Sequence, residues 1–293
     1  MEIKPFFDPR TFTLTYVVYD AQTRDAVVID PVLDYEPVGS KVFTESADEV
    51  LAFVQAEGLD LKYVLETHAH ADHLSGSQYL KERVPGLKVA IGSRIKVVQE
   101  TFKAVFGLPD DFATDGRQFD TLLEDGQVLQ VGPLKFEMIF TPGHTPACGT
   151  FKIDDKIFTG DLLFMPDQGT GRCDFPAGSA QDMYRSIKER IYTLPDATEV
   201  YTGHDYQPGG REVQWKSTVA EQKAKNVQLD GAKTYDDFVA ARTARDATLS
   251  APRLLFQSVQ VNIDAGHLPA SGYLKVPVNV FKPAPTNLEI AAI

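Results

Sequence analysis

The stretch Thr67-His68-Ala69-His70-Ala71-Asp72-His73 constrains this chain more than any other. Residues 62–66 (KYVLE) read as a buried strand that stops abruptly, and the chain must then turn. In an extended segment residues two apart point the same way, so His68 and His70 can reach one point. Asp72 and His73 come after the turn and face a neighbouring point. Clustered His and Asp are the usual ligands of transition metals, and packing does not call for three imidazoles and a carboxylate so spaced.

The remaining donors also follow strand-like runs, at loops, where sites are usually built. Thr141-Pro142-Gly143-His144 follows the run 134–140, Thr159-Gly160-Asp161 ends the run 156–159, and Gly203-His204 ends the run 199–202. With His68, His70, Asp72 and His73 they make seven potential ligands at four strand ends. Only His267 of the six histidines falls outside these motifs, and it reads as a surface or packing residue.

Residues 11–19 and 26–30 read as a hairpin, and Asp30-Pro31 at its end is either a turn or a carboxylate able to support a site. Ser46 and Glu49 have the spacing of a capping box for a helix ending at Gly58. Helices are expected around 77–83, from Ser93 to Gly107 and from Ser179, with an exposed loop at 110–116. Strands are expected at 88–91, 127–131, 134–140, 149–153, 156–159 and 199–202. This order suggests two stacked mixed sheets with helices outside, an αββα sandwich. Residues 1–210 then form the catalytic part, and 211–293 a C-terminal helical cap and tail of the same domain, with helices at 213–228 and 235–249. The last dozen residues are expected to be disordered.

Composition narrows the partners. Lys and Arg number 29 against 41 Asp and Glu, a formal charge of -12, with no basic and aromatic cluster, so neither nucleic acid nor an anionic membrane is expected. The opening MEIKPFFDPR lacks the apolar core of a signal peptide, and no window is long and apolar enough to span a bilayer. Cys148 and Cys173 are too few for a disulfide framework. The expectation is a cytoplasmic protein.

The donor set resembles the metallo-β-lactamase superfamily, whose signature is His-x-His-x-Asp-His followed by later His, Asp and His. The resemblance covers about residues 10 to 210. It implies the αββα fold with metal at one edge, His68, His70 and His144 on a first metal, Asp72, His73 and His204 on a second, and Asp161 shared. The flanks Asp30-Pro31-Val32, Gly171-Arg172-Cys173-Asp174-Phe175 and Gly203-His204-Asp205-Tyr206 look like the persulfide dioxygenase family, related by fold to glyoxalase II thioesterases.

That second resemblance implies oxidation of glutathione persulfide by O2 and water to sulfite and glutathione. It implies one Fe(II) per chain on His68, His144 and Asp161, a 2-His-1-carboxylate set suited to non-haem iron, with His70, Asp72, His73 and His204 as supports. Arg172 is the candidate for a substrate carboxylate, or else pairs with Asp174. Tyr206 stands where thioesterase relatives use a Tyr to touch glutathione. Cys173, beside a guanidinium that lowers a thiol pKa, either meets substrate sulfur or is an inert small side chain. The ligands equally suit a hydrolase with two Zn or Fe, of the glyoxalase II kind or a lactonase, in which Asp72, His73 and His204 bind metal directly. A metal or sulfide sensor without catalysis is a third reading. The C-terminal helices are candidates for shaping the substrate pocket or a homodimer contact.

Overall fold

A computed structural model describes residues 1–278. Its strands are β1 (Glu2–Asp8), β2 (Thr13–Tyr19), β3 (Asp25–Ile29), β4 (Val32–Glu36) and β5 (Lys41–Phe43), then β6 (Asp60–Glu66), β7 (Leu74–Ser75), β8 (Lys88–Gly92) and β9 (Thr121–Leu123). The second half carries β10 (Val128–Val131), β11 (Leu134–Phe140), β12 (Gly149–Ile153), β13 (Lys156–Phe158), β14 (Glu199–Tyr201) and β15 (Lys216–Thr218). The helices are α1 (Glu45–Ala56), α2 (Ser77–Arg83), α3 (Ile95–Phe106), α4 (Ala180–Arg185), α5 (Val219–Lys225), α6 (Tyr235–Asp246) and α7 (Leu255–Asn262).

Two six-stranded sheets result, ordered β1-β2-β3-β6-β8-β9 and β10-β11-β12-β13-β14-β15, beside a small β5-β4-β7 sheet. The pairs β3/β6, β6/β8, β8/β9 and β13/β14 are parallel and the others antiparallel, so both large sheets are mixed. Parallel neighbours need a crossover, and α1, α2, α3 and α4 supply them. Side-chain alternation builds the layers. Tyr16, Val18, Val27 and Ile29 face Phe136, Met138, Phe151 and Phe158 between the sheets. Their neighbours Val17 and Val28 face outward against Val50, Val54, Phe102 and Val259 of the flanking helices. On the other side Ile157 and Val200 pack on Met183, Ile187 and Phe238. The αββα architecture expected from the strand pattern is the one observed.

Four local expectations differ. The Ser46 capping box does not form, because the buried Asp34 carboxylate takes both the Ser46 amide (2.9 Å) and hydroxyl (2.8 Å). The 213–228 helix is instead a strand and a shorter helix. β15 pairs antiparallel with β14, and Thr218 then caps α5 in a capping box with Glu221. The helix begun at Ser179 tightens into a π-helical turn, Ser186–Ile191. The mixed 253–278 region contains α7, which the sequence reading passed over. The expectation of disorder for the last dozen residues lies outside the described residues.

Candidate metal centre

The seven donors leave their strands at one edge. His68 to His73 follow β6, His144 follows β11, Asp161 follows β13 and His204 follows β14. The start of β2 locks onto the same edge, with a Thr13–His204 bridge and a Leu14 amide donating to the Gly203 carbonyl at 2.8 Å. Gly160 at φ +50° lets the chain pass Thr67, since a Cβ there would fall 2.4 Å from its hydroxyl oxygen.

Four of the five imidazoles are tied down through Nδ1. Asp30, itself at φ +49°, accepts from the Thr67 amide and hydroxyl, both at 2.7 Å. The only hydroxyl proton of Thr67 is therefore committed to Asp30, so Thr67 must accept from Nδ1–H of His68 at 3.0 Å. Carbonyls fix the others in the same way. His144 Nδ1 donates to Arg172 O (2.7 Å), His73 Nδ1 to Leu74 O (3.0 Å) and His204 Nδ1 to Phe12 O (3.2 Å). Four Nε2 lone pairs are left for a metal, with tautomer and ring orientation set by the outer partner. His70 is reversed. Its Nε2 lies 3.0 Å from Asp30 Oδ1 and 3.7 Å from Glu66 Oε2.

The free atoms converge. Asp161 Oδ2 lies 3.5 Å from His144 Nε2 and 4.0 Å from His68 Nε2, while its Oδ1 lies 3.3 Å from His204 Nε2. His204 Nε2 is also 3.2 Å from Asp72 Oδ2. Donors bound about 2.1 Å from one ion at right angles sit about 3 Å apart, so these separations suit a shared cation. Two donor triplets on this edge, His68/His144/Asp161 and His70/Asp72/His73, each have ligand atoms within 4.8 Å of one another. A third, Asp30/Glu66/His70, lies behind them.

Buried polar atoms nearly always have partners. Here Nε2 of His68, His73 and His204, both ring nitrogens of His70, Oδ2 of Asp72, Oδ1 of Asp161 and Oε2 of Glu66 have no hydrogen-bond partner while buried. That pattern, with N and O donors only, fits a bound transition-metal ion. Burial, helped by neighbouring His70, holds His68 well below the usual imidazole range and pushes His73 down to about 4. Both are neutral at pH 7, as ligation requires. Burial opposes charge on His70 as well, but Asp30 and Glu66 raise it to about 10. His204 is raised against burial by Asp161 and Asp72. Glu66 rises to about 7 through burial and the nearby Asp30 charge.

A cleft of about 670 Å³ reaches this edge, lined among others by Asp72, His144, Asp161, Phe164, Arg172 and Tyr206. Arg172 is there, but its guanidinium grips Asp174 through two bonds of 2.6 and 2.7 Å and donates to Ser250 O at 2.7 Å. Tyr206 is 41% exposed and stacks on His204 at 5.6 Å. Cys173 is buried and not part of the cleft lining. Burial and Asp246 push its thiol pKa up, so the lowering expected from Arg172 is not what this fold produces. His267 is exposed and not part of the cleft lining.

Some supports escaped sequence reading. Asn262 on α7 donates to the carbonyls of His70 and His73, both at 2.8 Å, and accepts from the Ser75 amide at 2.8 Å. Glu66 accepts from the Ser75 and Ser77 hydroxyls. Phe12, at φ +59° and 37% exposed, aims its carbonyl at His204 and lays its ring 5.5 Å from Tyr206. A bulky residue in that conformation is an outlier, and an unusual Phe in a turn was its only signal.

The family model described as the metallo-beta-lactamase superfamily matches residues 8–204. The chain belongs to the metallo-β-lactamase superfamily. A probable metallo-hydrolase of Burkholderia pseudomallei (strain 1710b) is 48% identical over 95% of this chain and 99% of its own length. The human protein named Persulfide dioxygenase ETHE1, mitochondrial, is 34% identical over 90% of this chain and 88% of its own. The crystal structure of ETHE1 from Myxococcus xanthus superposes with a TM-score of 0.72 at 32% identity, covering 91% of this chain and all of that one. The chain is thus a superfamily enzyme with persulfide dioxygenase homologues. Among the described residues no helix is long and apolar enough to cross a membrane.

Proposed function

We propose that this enzyme is a persulfide dioxygenase that oxidises glutathione persulfide with O2 and water to glutathione and sulfite, using one Fe(II) on His68, His144 and Asp161. The observation that carries the reading is the placement of that triplet. Two of its members line the cleft, whereas only Asp72 of the His70/Asp72/His73 triplet does, and His70 Nε2 faces Asp30 and Glu66 instead. The persulfide dioxygenase relatives support the same reaction. Bound Fe(II) would supply the redox chemistry that a closed-shell sulfur substrate and O2 cannot perform together.

The protein's part is positioning. A persulfide is already anionic at neutral pH, so no side chain need remove its proton. Arg172 O holds His144, and Thr67 with Asp30 holds His68, so both ligands are set before anything binds. Phe175 packs edge-on against His144 at 5.0 Å, and Phe164 against His204 at 6.0 Å, and these rings help hold the imidazoles in place. The reaction takes four electrons from the terminal sulfur to reduce O2, and the carrier leaves as a thiol.

A second reading has one specific observation in its favour. Asp72, His73 and His204 all keep unpartnered atoms, so a second metal and hydrolysis of a thioester by a bridging hydroxide are available to the same residues. Metal analysis of anaerobically purified protein, followed by O2 uptake and sulfite release with glutathione persulfide, separates the two. One iron per chain with O2 uptake is expected. Two metals per chain and thioester turnover without O2 uptake would overturn the oxygenase.

A further inference from the structure

The donors of the ligand loop are separated by two alanines, Ala69 and Ala71. Where side chains alternate along an extended run, the methyls turn away from the face shared by His68 and His70. Both are buried in the apolar layer under the outer helices, with Val98 and Phe102 of α3 and Val259 of α7. Such small side chains leave a gap. Ala69, Ala71, Val98, Phe102, Phe175 and Val259 line a cavity of about 10 Å³.

That space admits about one water-sized molecule, and a water needs two to four polar partners to stay in it. Thr145 brings the only polar side chain to the described lining. Its hydroxyl is already engaged, with Cys148 Sγ at 3.1 Å and the Ala147 amide at 3.2 Å. A cavity of this kind stays dry and takes up a small apolar gas instead. It also shares a wall with the cleft, because Ala71 and Phe175 line both. Ala71 lies between His70 and Asp72 in the chain, and the half-buried Phe175 ring is 5.0 Å from the His144 ring. A substrate seated in the cleft covers the open approach to His144 and Asp161, whereas the cavity meets the same end of the cleft from behind.

We propose that this cavity is a holding site for dioxygen, which passes from it beside Phe175 into the cleft at His144. O2 is the one reactant of the proposed oxidation that is uncharged, apolar and small enough to enter. The inference rests on the oxygenase reading, but its first test needs no turnover.

Crystals of the zinc-loaded full chain pressurised with xenon should show one bound atom among Ala71, Val98 and Val259. In solution, dissolved O2 should relax the methyl protons of these three residues about threefold more than those of Val27, which is buried between the sheets. Val98→Leu fills the space with one more methylene, and Val98→Ala enlarges it. The first should abolish the xenon density and bring the relaxation down to the Val27 level, and the second should raise both. In the iron form Val98→Leu should raise KM for O2 about threefold, with kcat and KM for the persulfide unchanged. Melting curves show which variants fold, and Val98→Ala carries the test if Val98→Leu does not. A parent chain with no xenon density and relaxation at the Val27 level overturns the holding site, as does an O2 dependence that no folded variant changes. Gas in the cavity without O2 uptake by the iron form overturns the oxygenase reading and leaves the gas site standing. O2 uptake with an empty cavity removes the holding site alone.

Discussion

Asp161 offers its two oxygens to different imidazoles, Oδ2 toward His68 and His144 and Oδ1 toward His204. Asp161→Asn keeps the shape and removes the charge, and its metal affinity should drop about 100-fold, read by competition with a chelator. Cys148 gives a second expectation. Burial raises its thiol to about 12 from an ordinary 9.0, so the folded state holds the proton more tightly than the unfolded one. That contribution is complete below pH 9 and is lost as pH rises toward 12, at about 1.4 kcal/mol per pH unit. Denaturant unfolding from pH 8 to 11 should show Cys148→Ala falling less steeply than the parent; parallel slopes would refute this. The convergence of the candidate donors was legible residue by residue, because His and Asp at alternate positions after a buried strand have few other uses. Asn262 was not, because one polar side chain in a helix carries no period and no spacing.

At the scale of elements, α7 holds the ligand loop from outside. Asn262 bonds two loop carbonyls and one amide from a position that is itself buried. Asn262→Ala leaves these groups unpaired, and should cost about 2–4 kcal/mol in unfolding free energy and loosen metal retention. Asn262→Asp removes one donor pair and keeps the acceptor, so an intermediate loss is expected from the same denaturant titration. The strand β15 shows why boundaries after residue 210 were misread. Residues 216–218 gain their state from pairing with β14, a tertiary contact that the local pattern does not contain. The central strands of the two large sheets were legible because their inward and outward faces alternate in the sequence itself, whereas the edge strands β1, β9 and β15 were not expected.

At the scale of the molecule, donors come from both sheets, β6 from one and β11, β13 and β14 from the other. A bound ion therefore fastens the two layers at their open edge. Saturation at about 1,000 times Kd adds about 4 kcal/mol, and a chelator should lower the melting temperature by roughly 10 °C. At the same metal level Asp161→Asn, with about 100-fold weaker binding, should keep about 1.4 kcal/mol of this and shift by roughly 4 °C with chelator. The distance in sequence between the ligand loop and Asn262 has a consequence in time. The two bonded partners are 192 residues apart. At about 5–20 residues per second a ribosome needs roughly 10–40 s between making His70 and making the side chain that secures it. The nascent chain thus displays its first histidines long before it can hold them in place, so a metal ion captured during synthesis would exchange freely and lasting occupancy would begin only after α7 emerges.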